Sequence, residues 1–116
     1  MIPWLSAFLV TQLAEAPAYA ASLRPGRPWG RALLWGLLPS AITHPLLWAT
    51  WEPLGALLPV HEVRLVVAEA LVMLAEALLW RRVSGRSFGW ALAVAVAVNL
   101  WSVLVGEGLR AVVGWP

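Results

Sequence analysis

The sequence predicts an all-α integral membrane protein, a bundle of four transmembrane helices, and three observations carry that expectation. Of 116 residues, 61% are hydrophobic and 12% charged, and a soluble chain of this length has too little polar area to cover so much apolar surface. Four apolar runs, over 2–23, 32–51, 63–80 and 88–105, approach or exceed the roughly 20 residues that span a bilayer core. Arginine gathers between those runs, as it does where charge fixes topology. The whole chain, 1–116, is thus expected to form one membrane domain.

Composition also removes several function classes. The chain has no Cys, which excludes disulfides, thiolate metal sites and thiol redox chemistry. Its formal charge of +2 is the balance of eight Arg, with no Lys, against six Glu. Most of these arginines lie in short connectors, so nucleic acid is not expected as a partner, whereas membrane lipid is.

The first run, Ile2 to Leu23, carries Glu15 at its middle and Pro17 two residues later. Ala18-Tyr19-Ala20 has the form of a signal-peptide cleavage site, but no basic stretch precedes the run and Glu15 interrupts its apolar core. A retained span is therefore expected. After the connector RPGRPWGR comes Ala32 to Trp51, in which Pro39 and Pro45 flank SAITH. Each proline removes a helical hydrogen bond, which frees the carbonyls of Leu13, Trp35 and Ala41 beside acids and an imidazole. Such carbonyls can coordinate a cation or water. The connector WEPLGALLPVHE leads to Val63 to Trp80.

That third run holds the most informative pattern. Glu62, Glu69 and Glu76 stand seven residues apart, which puts them near one helical face, each about 10 Å further along. Two intramembrane carboxylates cost about 5 to 7 kcal/mol, while the eight large aliphatic residues from Leu65 to Leu79 return about 2.5 to 5. Alone, the helix is marginal. It needs neighbouring helices, protonation, a cation or another subunit. After RRVSGRS, the last run, Phe88 to Val105, carries Asn99, and the tail LRAVVGWP follows with Trp115.

Topology follows from the connectors. The first and third carry Arg24, Arg27, Arg31, Arg81, Arg82 and Arg86 without an acid, whereas the middle one carries Glu52 and Glu62 with Arg64 nearby. Arg-rich loops on the cytoplasmic side leave both termini outside, and a bacterial inner (plasma) membrane is the expected location. Trp4, Trp48, Trp51 and Trp101 then fall towards the outer interface, and Trp29, Trp35, Trp80 and Trp90 towards the inner one.

Setting Arg31 on Arg86 aligns Arg27 with Arg82, Gly30 with Gly85 and Trp35 with Trp90, and it places His44 opposite Asn99. One residue of slippage brings Glu15-Ala16 onto Glu69-Ala70. Two readings stay open: a duplicated helical hairpin forming a parallel repeat, or chance similarity among apolar helices. In either case the stripes Thr11, Glu15, Ala18, Ser22; Gly36, Ser40, Thr43, His44; and Ala91, Ala95, Asn99, Ser102, Gly106 should face the bundle axis, where small residues admit close helices and polar ones satisfy each other.

Glu15, His44, Glu69 and Asn99 supply oxygen and imidazole donors suited to a divalent metal cation. Glu62, Glu69 and Glu76 form the candidate proton or ion path. No H-E-x-x-H motif, Glu-x-x-His pair, nucleophile elbow or phosphate loop is present, which leans against an enzyme. Three functional readings remain. The chain moves protons or a small metal cation, alone or as a homo-oligomer. Alternatively, it is a non-catalytic accessory subunit whose acids pair with partner membrane subunits. Least favoured is an intramembrane metal-dependent hydrolase with Glu69 as base and His44 as ligand.

Length, four spans and the mid-helix Glu15 make the chain similar to the small multidrug resistance exporters, in which such a glutamate exchanges protons for cationic drugs. The resemblance covers that residue and the architecture. Strongly Arg-biased loops and the extra acids Glu69 and Glu76 depart from the family pattern. The resemblance implies that a chain this short can transport.

Overall fold

The computed structural model describes residues 3–24 and 26–114. Ile2, Trp115 and the side chain of Trp4 therefore lie outside the described residues. The described residues form four helices: α1 (Pro3–Ser22), α2 (Trp29–Leu57), α3 (His61–Ser84) and α4 (Phe88–Val113). They are arranged as a ring in chain order, α1 against α2 and α4, α3 against α2 and α4. The most extensive pairings lie within the hairpins α1/α2 and α3/α4. One end of the bundle carries the two arginine-rich connectors, here the arginine end. The start of α1, the end of α4 and the α2–α3 connector lie at the other, the terminal end.

Local chemistry sets most helix boundaries. Ser87 caps α4 by accepting from the backbone N–H of Trp90 at 3.2 Å, which satisfies one of the donors a helix start leaves open. Gly85 and Gly114 close α3 and α4 in the left-handed region, at φ 71° and 67°, where a Cβ would be strained. At Gly36, a Cβ would collide with the backbone carbonyl of Ala16, so glycine sets the closest approach of α1 and α2.

Helix α1 lies within its expected span, while the other three outrun theirs, most of all α2, which continues through Pro53 to Leu57. Proline there removes one hydrogen bond without ending the helix, because the following turn is held from outside. The Arg64 guanidinium folds back over the Trp51 ring, 4.5 Å from its centroid, and occupies the space that a Cβ on Gly55 would need. His61 meets the same Trp51 ring edge-on at 5.8 Å. Thus the first turn of α3 clamps the last turns of α2.

The interior combines alanines and one aromatic pair with a few polar residues, and the exterior exposes many large apolar side chains. Buried residues include Ala14, Ala16, Ala20, Ala32, Ala68, Ala77, Ala91 and Ala95 together with Glu15, Ser40, Thr43, Glu76 and Asn99. Leu13, Leu34, Val66 and Leu104 are exposed. Helices α2 and α4 are long and apolar enough to cross a membrane, yet only 28% and 22% of their most apolar stretches are buried within the bundle. Core helices of a soluble protein would bury most of such a stretch. The expected stripes do turn inward: Glu15, Gly36, Ser40, Thr43, Ala91, Ala95 and Asn99 are all buried.

Two tryptophans depart from the expected interfacial belts. Trp80 is fully buried, because its ring packs on Tyr19 with centroids 4.6 Å apart and its Nε1–H donates to Ser22 Oγ at 2.8 Å. Trp101 lies near the middle of α4, where its Nε1–H donates to the Ala14 carbonyl at 3.2 Å. In both cases an indole N–H that needs an acceptor found one on α1.

Candidate functional site

The site begins with a carboxylate that lies on the bundle axis. Glu76 is 1% exposed and accepts hydrogen bonds from three helices: Tyr19 Oη on α1 at 2.6 Å, Thr43 Oγ1 on α2 at 2.7 Å and Asn99 Nδ2 on α4 at 2.9 Å. Asn99 also donates to the Ala95 carbonyl at 2.8 Å, and Thr43 lies 3.0 Å from the Pro39 carbonyl. A buried charge or carboxyl group without partners would be costly, and here each neighbouring helix supplies one donor. The second buried acid, Glu15, accepts from Ser40 Oγ.

Counted from the first residues of their helices, Trp29 and Phe88, Ser40 and Asn99 stand at equal depth. Each donates to the buried acid of its own hairpin. Each hairpin thus holds one buried acid with its donor, Glu15–Ser40 and Glu76–Asn99, whereas the sequence alignment matched Glu15 with Glu69 and His44 with Asn99 as residues of equal depth.

Above this layer, towards the terminal end, opens a cavity of about 230 Å³. Its wall includes Thr11 and Glu15 from α1, Ser40, Thr43 and His44 from α2, Glu69 and Glu76 from α3, and Asn99 and Ser102 from α4. Glu107 and Arg110 also line it and pair with each other at 2.7 Å. Towards the arginine end the bundle is filled instead. Tyr19, Ala20, Leu23, Ala32, Trp80, Ala91 and Val98 form one packed cluster there, with the Tyr19–Trp80 pair as its largest side chains.

The residues singled out by the sequence are brought together unequally. Glu15, His44, Glu69 and Asn99, the candidate metal ligands, all line the one cavity. They do not form a compact ligand set: Glu15 faces Ser40, Asn99 is committed to Glu76, and His44 packs on the Phe8 ring at 5.6 Å. Among the described residues no three His, Cys, Asp or Glu side chains are grouped so as to hold a metal ion. Of the three acids of α3, Glu62 is exposed, Glu69 is half-buried in the cavity wall, and Glu76 is at the base. Glu69 has no hydrogen-bond or ion-pair partner among the described residues.

Side chains reach carbonyls near those the prolines free at Leu13, Trp35 and Ala41. Gln12 Nε2 donates to the Leu37 carbonyl at 3.0 Å and Trp101 to that of Ala14, close to the prolines but not at Leu13 or Trp35. Tyr19 is the residue of this layer that the sequence did not single out. The available signal was its position, four residues after Glu15 and on the same stripe, as the only tyrosine of the chain. Such spacing puts both side chains on one face.

Comparison with known proteins finds no match among protein-family models, curated proteins or solved structures.

Proposed function

We propose that this chain crosses the membrane with all four helices and moves protons or a small cation through the acid-lined cavity. The observation that carries this reading is one carboxylate, Glu69, without a partner on the wall of a polar cavity, inside a bundle whose outer surface is apolar. An intramembrane carboxylate is costly unless it has a partner or a task. Glu15 and Glu76 have partners within the chain, and Glu69 is left for the task.

In this reading the cavity faces the outside and the arginine end faces the cytoplasm of a bacterial cell. Glu69 is the entry carboxylate, Glu15 and Glu76 are the central acids, and the Tyr19–Trp80 layer is the barrier. Protons, or a cation held by one or two carboxylates, suit this arrangement better than a chelated divalent metal, which takes several convergent ligands. The pairs Glu15–Ser40 and Glu76–Asn99 give each hairpin one buried acid with a donor, in a register other than that of the sequence repeat. A homo-oligomer would enlarge the pathway. The accessory-subunit reading rests on acids that seek partners in other chains, and internal satisfaction of Glu15 and Glu76 weighs against it for those two.

The test is reconstitution of the purified protein into vesicles carrying an internal pH dye, with an imposed proton or cation gradient. Wild type and Glu62→Gln should dissipate the gradient, while Glu69→Gln and Glu15→Gln should not. Absence of flux in the wild type with every cation tried, together with a stable hetero-complex in native mass spectrometry, would overturn the proposal in favour of the accessory subunit.

A further inference from the structure

The two arginine-rich connectors are not used alike. In the α1–α2 connector, Arg24 donates to the Arg27 carbonyl at 2.8 Å and stacks 5.2 Å from the Trp29 centroid. Arg27 reaches across to the Val83 carbonyl at 2.6 Å. Those two guanidiniums hold the chain together. At the other connector, Arg81 and Arg82 are exposed and have no hydrogen-bond, ion-pair or ring partner among the described residues, although topology alone would not require them to be free. Arg86 is oriented against Trp90, with its guanidinium 4.3 Å from the ring centroid.

These three arginines line one depression with Leu78, Gly85 and Ser87. Beside it, the Trp90 N–H is taken by the Ser87 cap, and a Cβ on Gly89 would meet open space. Ser87, the residue that caps α4, lines the depression, so the positive end of the helix dipole lies beside the three cations. From the depression, Leu78, Leu74 and Leu71 run away along one exposed face of α3, at the spacing that makes a continuous helical stripe.

We infer that this depression binds the phosphate of an anionic phospholipid, with an acyl chain lying along Leu78, Leu74 and Leu71. A phosphate matches the guanidinium donors. The adjoining leucine track selects a lipid over a soluble phosphate. This inference rests on the membrane-spanning part of the reading above and is independent of what the cavity moves.

The test measures lipid retained by the full-length protein after nanodisc reconstitution and mild delipidation, by mass spectrometry, from an equal mixture of phosphatidylglycerol and phosphatidylcholine. The wild type should retain phosphatidylglycerol selectively. Arg81→Gln/Arg82→Gln should lower that retention by about tenfold or more, while Arg31→Gln/Arg110→Gln, with the same loss of net charge, should not. Circular dichroism checks that both variants keep their helicity. Equal loss in both variants, retention of both lipids alike, or displacement of the lipid by millimolar inorganic phosphate would each overturn the inference. Wild-type selectivity and phosphate displacement decide it even if the double variant fails to fold. Gradient dissipation, assayed separately, reports on the cavity and not on this site.

Discussion

Tyr19 and Glu76 meet across the diagonal of the bundle, hydroxyl to carboxylate at 2.6 Å, although α1 and α3 are not neighbours in the ring. One hydrogen bond thereby joins the two hairpins through their centre. Glu76→Ala would strand the Tyr19, Thr43 and Asn99 donors in a closed interior. We expect a loss of about 2–4 kcal/mol, measured by denaturant unfolding in detergent. Tyr19→Phe keeps the ring against Trp80 and should cost only about 1 kcal/mol. Equal effects of the two substitutions would contradict the central role of the carboxylate.

Two glycines should respond to alanine in opposite directions. At Gly36 the new methyl meets the Ala16 backbone, which cannot move aside as a flexible side chain could, so Gly36→Ala should destabilise by about 1–3 kcal/mol. Gly108 is helical with open space around it. Gly108→Ala should be neutral or stabilise by up to about 1 kcal/mol. Thermal melts of both variants in one detergent settle the signs.

The absence of cysteine makes accessibility easy to map. Thr11→Cys and Ser102→Cys line the cavity and should react with a membrane-impermeant thiol reagent added from the terminal side. Ala91→Cys and Ala20→Cys lie in the packed cluster and should resist it from either side. Labelling of Ala20→Cys at the rate of Ser102→Cys would mean that the arginine end is open.

The clamp on α2 should depend on Arg64. Its guanidinium covers Trp51 and Gly55, so Arg64→Ala should lose about 0.5–2 kcal/mol through the cation–π contact and its buried stem. Hydrogen exchange should rise selectively over residues 52–57 while the central layer stays protected. Uniform acceleration along the chain would refute a local clamp.

Much of the fold was legible because periodicity and composition act locally. Four apolar runs became four helices, and stripes of small and polar residues predicted which faces turn inward. Boundaries were less legible: Pro53 read as part of a connector because the clamp that keeps α2 helical comes from Arg64, beyond the turn. In the site, Glu15, Glu69 and Glu76 were recognisable as acids in apolar surroundings. Their division of labour was not, since Glu76 is distinguished from Glu69 only by Tyr19, Thr43 and Asn99 arriving from three other helices. Trp80 looked interfacial for the same reason, because its acceptor, Ser22, belongs to a different hairpin.

The aromatic layer beneath the cavity bears on kinetics. A vestibule stopped at one end by Tyr19 and Trp80 cannot carry a continuous stream of ions, so no unitary current steps should accompany the proposed activity. Each passage would have to part the Tyr19–Glu76 bond and shift an indole before the route closes again behind the cargo. The pace would then be set by helix rearrangement, slow and saturable, and the protein would behave as a carrier with a countable turnover.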